Sequence, residues 1–353
     1  MVIDTLDRLT RQVLNATPLS RAQAEWLVTE IDVSHLPALF EGAGRIRDRF
    51  QGRKAKCCSI AATMVGRCPE NCAFCSQSAH HRTSGVQPSR LETDQIVKAA
   101  FEAADNGARF FGLVNSGREV GNKEIERLLP AIERIAGSGR IGVCASLGFL
   151  TDAQAHRLAD LGVRHYNHNL QTSRRFYPEI VSTHTYGQRL ETLQHAKNAG
   201  MGLCCGGLFG MGETWTDRLE LAFELRSLAP EVVPINFLIP VKGTPLADRS
   251  PLDPQECLKI IAIFRFLLPE PEIKVAGGRE PCLGEMQDRI FAAGATGFIV
   301  GNYLTTCGQS PERDRKMLAD LGLEMEHYAD RSTVPQMAAD VSSPHPSAHS
   351  VNA

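Results

Sequence analysis

The sequence predicts an α/β fold, a (β/α)8 TIM-type barrel preceded by a helical segment and followed by a disordered tail. Three observations predict it. From Cys57 onward, short apolar or β-branched runs alternate with longer amphipathic stretches at spacings of roughly thirty residues. Eight such runs occur, as many as a closed parallel barrel needs. The runs are apolar almost throughout, the pattern of strands covered on both faces, rather than alternating as half-exposed strands do.

In chain order, residues 1–50 carry helical apolar spacing (Leu6, Leu9, Val13, Leu14, then Trp26, Leu27, Ile31) and few strand signals. The strand candidates are 57–63, 109–115, 140–147, 164–170, 202–209, 232–239, 273–276 and 297–301. Between them lie helix candidates at 92–104, 123–136, 152–161, 186–199, 216–228, 254–268 and 284–293. Thr151-Asp152 opens one of these helices, and Gly162 and Gly200 follow the ends of two others. A doubly wound open sheet is the competing architecture, but the first strand lacks the glycine-rich turn of a dinucleotide fold. The expected division is a helical segment at 1–50, the barrel at 51–325 and a tail at 326–353. That tail (Val341-Ser-Ser-Pro-His-Pro-Ser-Ala-His-Ser350) holds too little apolar area to offset its ordering entropy.

The 353 residues hold 38 basic and 40 acidic side chains, a formal charge of −2, which argues against a general nucleic-acid or membrane-surface binder. No run of about 18 apolar residues marks a membrane span. Residues 1–25 mix acids and bases without the apolar centre of a secretory signal, so the expected compartment is the cytoplasm. Eleven cysteines in such a chain point to metal binding or catalysis rather than to disulfides.

The sharpest motif is Cys68-Pro-Glu-Asn-Cys72-Ala-Phe-Cys75, three thiols on the loop after the first strand. That loop opens on the C-terminal face of the barrel, where active sites form. Three thiolates can hold a four-iron cubane and leave one iron open for a substrate. A structural zinc site is the other reading. It needs a fourth close ligand, for which His80 and His81 are the next candidates.

The spacing of Cys68, Cys72 and Cys75, with Phe74 as the aromatic before the last cysteine, resembles the signature of the radical S-adenosylmethionine (SAM) enzymes. Further segments narrow the likeness: Tyr166-Asn-His-Asn-Leu-Gln-Thr172, Cys205-Gly-Gly-Leu-Phe-Gly-Met-Gly-Glu213, Val233-Pro-Ile-Asn-Phe237, Lys242-Gly-Thr-Pro-Leu246, Ala276-Gly-Gly-Arg-Glu280 and Asn302-Tyr-Leu-Thr-Thr306. In this order and at these spacings they resemble the biotin synthase family over about residues 50–325. The resemblance implies a 4Fe-4S cluster on Cys68, Cys72 and Cys75, SAM on its open iron, and dethiobiotin as the substrate into which sulfur is inserted. It also implies an electron donor such as flavodoxin or ferredoxin, and a homodimer. Residue by residue, it implies that Phe74, Asn169, Arg189, Gly206, Gly207 and Gly210 contact SAM. Asn167 and Asn236 would hold the ureido ring, and Thr305 and Thr306 would lie near the substrate carboxylate. Arg189 suits a carboxylate through its guanidinium fork. Glycine lets the backbone approach closely, and alternation puts Asn167, Asn169 and Gln171 on one strand face.

The family's 2Fe-2S auxiliary cluster rests on three cysteines and an arginine, and here the sequence departs from the pattern. Cys144 and Cys204 match two of the cysteines, Phe111 stands at the third, and Lys274 stands at the arginine. Cys58, inward if Cys57 is outward, is the candidate replacement, giving an auxiliary iron–sulfur cluster of uncertain type on Cys58, Cys144 and Cys204. Cys205 should face away from Cys204. Small buried hydrophobes are the plainer reading of these cysteines. Without a second cluster, the sequence would suit a radical SAM enzyme that rearranges carbon skeletons or assembles metal cofactors. A non-catalytic metal-binding protein is the reading from another class.

Overall fold

A computed structural model describes residues 1–66, 68–84, 86–304 and 308–328. Three helices lead, α1 (Val2–Leu14), α2 (Arg21–Glu30) and α3 (Leu36–Gln51). A capping box between Ser20 and Gln23 opens α2. The barrel strands follow: β1 (Cys58–Val65), the short β2 (Ser89–Arg90), β3 (Phe110–Asn115), β4 (Gly142–Ser146), β5 (Val163–Asn167), β6 (Gly202–Cys204) with β7 (Gly207–Phe209), β8 (Val232–Phe237), β9 (Glu272–Val275) and β10 (Gly297–Phe298). Between and after them lie α4 (Thr93–Asp105), α5 (Asn122–Gly137), α6 (Asp152–Asp160), α7 (Tyr177–Ile180), α8 (Tyr186–Asn198), α9 (Trp215–Leu228), α10 (Pro254–Leu267), α11 (Arg279–Leu283) and α12 (Pro311–Asp320).

The parallel order runs β1-β3-β4-β5-β6-β8-β9-β10, with β7 pairing β8 beyond β6. A parallel bridge between Cys58 and Ile299, with Val300 N–H donating to the Cys58 carbonyl at 2.8 Å, joins the last strand to the first. The sheet is therefore a closed barrel, and none of its parallel strands is left as an open edge. Capping boxes at Thr151/Gln154, Thr185/Gln188 and Thr214/Asp217 start the outer helices where the spacing predicts them, within a residue or two.

Four departures from the expected elements have local causes. The predicted 202–209 strand is broken after Cys204, because Gly206 passes so near Pro234 that an added Cβ would stand 1.9 Å from its carbonyl oxygen. The predicted 284–293 helix is instead the one-turn α11 followed by a 3-10 stretch over Gly284–Ile290. The last strand spans only Gly297–Phe298. Finally, β2 pairs antiparallel with the end of β1, Met64 against Arg90 and Val65 against Ser89. That pairing ties both ends of the cysteine loop to one strand end.

The lower end of the barrel is closed by charge and by the chain's own last described residues. Arg109, 1% exposed, bonds both Glu272 and Glu326, and Glu326 N–H donates to the Ala55 carbonyl at 2.9 Å. The Tyr328 ring packs edge-on against Phe110, with ring centroids 5.6 Å apart. The chain thus stays packed through Tyr328, beyond the boundary expected at 326. Residues 329–353 lie outside the described residues.

Candidate active site

The cysteine loop folds back on itself at the upper mouth. Cys68 N–H donates to the Gln77 carbonyl at 2.8 Å, Ala79 N–H donates to the Cys68 carbonyl at 2.7 Å, and Cys75 N–H donates to the Cys72 carbonyl at 3.0 Å. Cys68, Cys72, Phe74 and Cys75 all line one cavity of about 530 Å3 that runs down the barrel. Burial raises all three thiols, Cys72 to about 12 despite the opposing Arg189 cation. Bare thiols here therefore hold their protons at neutral pH, and a bound metal must displace them.

Behind the loop stands a charged network that the motif did not announce. Glu70, the one charged residue between the cysteines, accepts from Arg118 at 3.1 Å, from the Thr183 hydroxyl, and pairs with His184 Nδ1 at 2.5 Å. His184 Nε2 meets Arg189 Nη2 at 3.1 Å. Arg189 also donates to the Asn169 carbonyl at 2.8 Å and to the Tyr177 hydroxyl. Its guanidinium is thus locked by three partners at the cavity wall. His168 is buried beside it. Burial, then Arg189 and His184, depress its pKa well below the ordinary range, so it is neutral, and its Nε2 has no hydrogen-bond partner.

Strand β5 ends at Asn167, so Asn169 and Gln171 reach the cavity from the loop beyond it rather than along one strand face. Gln171 adopts φ +71°, and His168 lines the cavity as well. This corrects the alternation argument while keeping its outcome, convergence on one cavity. Asn169 Oδ1 accepts the Gly206 N–H at 3.0 Å and fixes the glycine turn. Asn236 ties together the Gly207 carbonyl (3.0 Å) and the Gly277 N–H (3.0 Å). Asn167 donates to the Cys204 sulfur at 3.2 Å. Gly210, at φ +96°, turns the chain so that Glu213 can accept its N–H at 2.9 Å. Thr305 and Thr306, like Cys307, lie outside the described residues.

At the lower end of the same cavity, Cys58, Cys144 and Cys204 face inward together with Lys274. Cys57 and Cys205 are fully buried in the surrounding core, as alternation predicts. Burial raises the Cys144 thiol first, and the neighbouring Cys58 and Cys204 raise it further. Lys274 Nζ lies 2.6 Å from Cys58 Sγ and 3.1 Å from Glu272. Burial works against that ammonium, but Cys58 and Glu272 outweigh it and raise its pKa. The expectation at Phe111 is corrected. Phe111 packs outward in the core, and the β3 residues lining the cavity are Phe110, Gly112 and Val114, with Phe110 registered against Cys58 and Gly112 against Cys144. Either way the strand offers no thiol to the cavity.

The residues present fit the implied groups. The loop supplies three thiols to the cavity, and the buried His168 imidazole, its Nε2 unpartnered, lines the same cavity, while Gly206, Gly207 and Gly210 pack against Pro234, Leu221 and Leu252 behind the wall. Among the described residues no three His, Cys, Asp or Glu side chains converge as one metal ion would require. A cubane differs in that each iron takes its own thiolate.

The comparisons with known proteins follow the same line. Residues 63–225 match the Radical SAM superfamily, and residues 234–324 match the Biotin and Thiamin Synthesis associated domain. A biotin synthase of Geobacter sulfurreducens is 43% identical over 323 residues, covering 91% of this chain and 98% of that one. The chain belongs to the biotin synthase family. Another biotin synthase, from Pelobacter propionicus, is 47% identical over 289 residues, covering 82% of this chain and 88% of its own. Among solved structures, methylornithine synthase superposes with TM-score 0.80 at 17% identity, covering 91% of this chain and 98% of its own. The maturase of the [FeFe]-hydrogenase HydG gives 0.78 at 16%, covering 91% and 75%. These two establish the fold alone. Biotin synthase family membership implies a 4Fe-4S cluster and SAM for this chain, and it is a radical SAM enzyme. No described helix is long and apolar enough to cross a membrane.

Proposed function

We propose that this chain inserts sulfur into dethiobiotin to form biotin, with SAM bound under the Cys68–Cys75 loop and the sulfur drawn from an auxiliary iron–sulfur cluster on Cys58, Cys144 and Cys204. One observation carries the reading: a single cavity has three thiols at its mouth and three more at its floor. Cys58 begins β1 and Cys68 follows its end, so the strand's seven Cα steps, about 23 Å along its own length, lie between the two sets of sulfurs.

When bound, the reduced four-iron cluster supplies the electron that splits the SAM sulfonium and yields a radical able to take hydrogen from unactivated carbon. The chain's residues position and shield. Cys68, Cys72 and Cys75 would hold the cluster, with Phe74, on the same cavity wall, beside it. Arg189, pinned by Tyr177, His184 and Asn169, meets the SAM carboxylate. Asn169 would contact the nucleoside, and the Gly206–Gly210 turn, which reaches the cavity through Leu208, would stand beside it. Asn167 and Asn236 face the ureido ring, whose mixed donors and acceptors suit amides. The closed wall keeps water from the reacting centre. A one-electron donor of the flavodoxin or ferredoxin kind reduces the cluster, and the chain works in the cytoplasm as a homodimer.

The test is anaerobic turnover with dethiobiotin, SAM and a reductant, alongside iron and sulfide counts. The reading expects biotin, and more iron than one cubane holds. A single cubane's worth of iron with no biotin would refute it.

A further inference from the structure

Beside the floor cysteines stands a histidine that neither the motif nor the family pattern accounts for. His165, on β5, is 3% exposed and lines the cavity. Its Nε2 lies 2.8 Å from Glu231 Oε2, and its Nδ1 lies 3.6 Å from Cys144 Sγ. The carboxylate assigns the ring proton to Nε2, which leaves the Nδ1 lone pair directed at the thiol and the cavity. The ring is further fixed by the edge of Phe110, at a centroid distance of 4.6 Å. A bare glycine makes room for the pair: a Cβ on Gly202 would stand 2.6 Å from His165 Cδ2 and 2.7 Å from Glu231 Oε1.

Histidines that bind metal characteristically give their second ring N–H to a carboxylate, which fixes the tautomer and raises the basicity of the ligating nitrogen. An imidazole serving only as packing has no need of a carboxylate reached through a glycine gap. We propose that His165, set by Glu231, is a nitrogen donor to the auxiliary cluster, alongside Cys58, Cys144 and Cys204. Imidazole and thiolate together suit iron. Glu231 is the positioning residue, acting only through the ring. The assignment rests on the reading that an auxiliary cluster exists.

The test uses the whole chain, reconstituted anaerobically with iron and sulfide, reduced with dithionite and kept free of SAM. Iron and sulfide are counted first. Then pulsed electron paramagnetic resonance compares natural-abundance protein with protein carrying 15N-histidine, which needs no substitution. The expected result is a nitrogen coupling that changes with histidine labelling and is lost in His165→Ala. In Glu231→Gln the coupling is expected to change, and iron to be lost to a chelator severalfold faster. A coupling that ignores histidine labelling, or that persists in His165→Ala, overturns the assignment. Iron no greater than one cubane holds overturns the auxiliary cluster and this ligand with it.

Discussion

Lys274 Nζ sits 2.6 Å from Cys58 Sγ at the floor of the barrel, a buried cation directly against the sulfur of a half-buried cysteine. Glu272 and Arg109 extend the contact into a chain of alternating charge that reaches Glu326. Burial alone would raise Glu272, but Lys274, Arg109 and Lys56 outweigh it and hold its carboxyl far below the usual range. Burial still dominates at the floor: it raises the Cys144 thiol and pushes Cys204 up to about 12, with Lys274 acting in the opposite direction on both.

Removing that cation leaves Glu272 without one of its partners. Lys274→Met is expected to lower the stability of the metal-free chain by about 3 kcal/mol, the scale for breaking a buried pair. Lys274→Arg should recover part of the loss. Denaturant midpoints of the three proteins check this, and a Met variant as stable as the parent would contradict it.

Arg189 is held by Tyr177, Asn169 and His184 at the upper wall. Arg189→Lys keeps the charge but loses the fork, a difference of about 1.5–3 kcal/mol for a charged hydrogen bond. The expected result is a KM for SAM about 10- to 100-fold higher, read as deoxyadenosine formation, with cluster absorbance unchanged. An unaltered KM would remove Arg189 from the SAM site.

The glycine turn tolerates no side chain. Gly206→Ala puts a Cβ 1.9 Å from the Pro234 carbonyl oxygen, a backbone atom that cannot swing aside. Overpacking of this kind commonly destabilises by 1–3 kcal/mol, and a loss of about 3 kcal/mol is expected. Thermal unfolding of the variant measures it. Unchanged stability would mean that β7 and β8 stand farther apart here.

Asp217, fully buried at the start of α9, accepts from Ser173 at 2.6 Å and from Thr214 N–H at 2.8 Å, and pairs with Arg175. Burial raises its pKa, but Ser173, Thr214 and Arg175 outweigh burial and leave it lowered. With the folded value below the unfolded value of about 3.9, its contribution is complete above that value and is lost as pH falls through the folded one. Asp217→Asn should therefore lose about 1–3 kcal/mol at pH 7, and the gap to the parent should narrow below about pH 4. Melting curves across pH 3–7 test the sign. A gap that widens in acid would contradict it.

Much of this was legible in the chain because strand and helix periods are local. Cys58 inward and Cys57 outward follow from alternation along one strand, and Thr151 marks its helix by a hydrogen bond within four residues. What was not legible depends on partners far apart in sequence. Phe110 rather than Phe111 faces the cavity because the pairing of β3 with β1 and β4 sets which face is inward. The Glu70–His184 pair and the Arg109–Glu326 pair join residues 114 and 217 positions apart. The break between β6 and β7 comes from Pro234, on another strand. Spacing within one segment carries none of these.

The central claim is that the floor of the cavity supplies sulfur while its mouth cleaves SAM. Cys144→Ala separates the two jobs, because the neighbours of Cys144 are Cys58, Cys204, His165 and Lys274 at the floor. In anaerobic single turnover with dethiobiotin, SAM and a reductant, deoxyadenosine and biotin are measured in the same sample. The account predicts deoxyadenosine near the parent level and no biotin. Biotin at the parent level would place the sulfur donor elsewhere and contradict it.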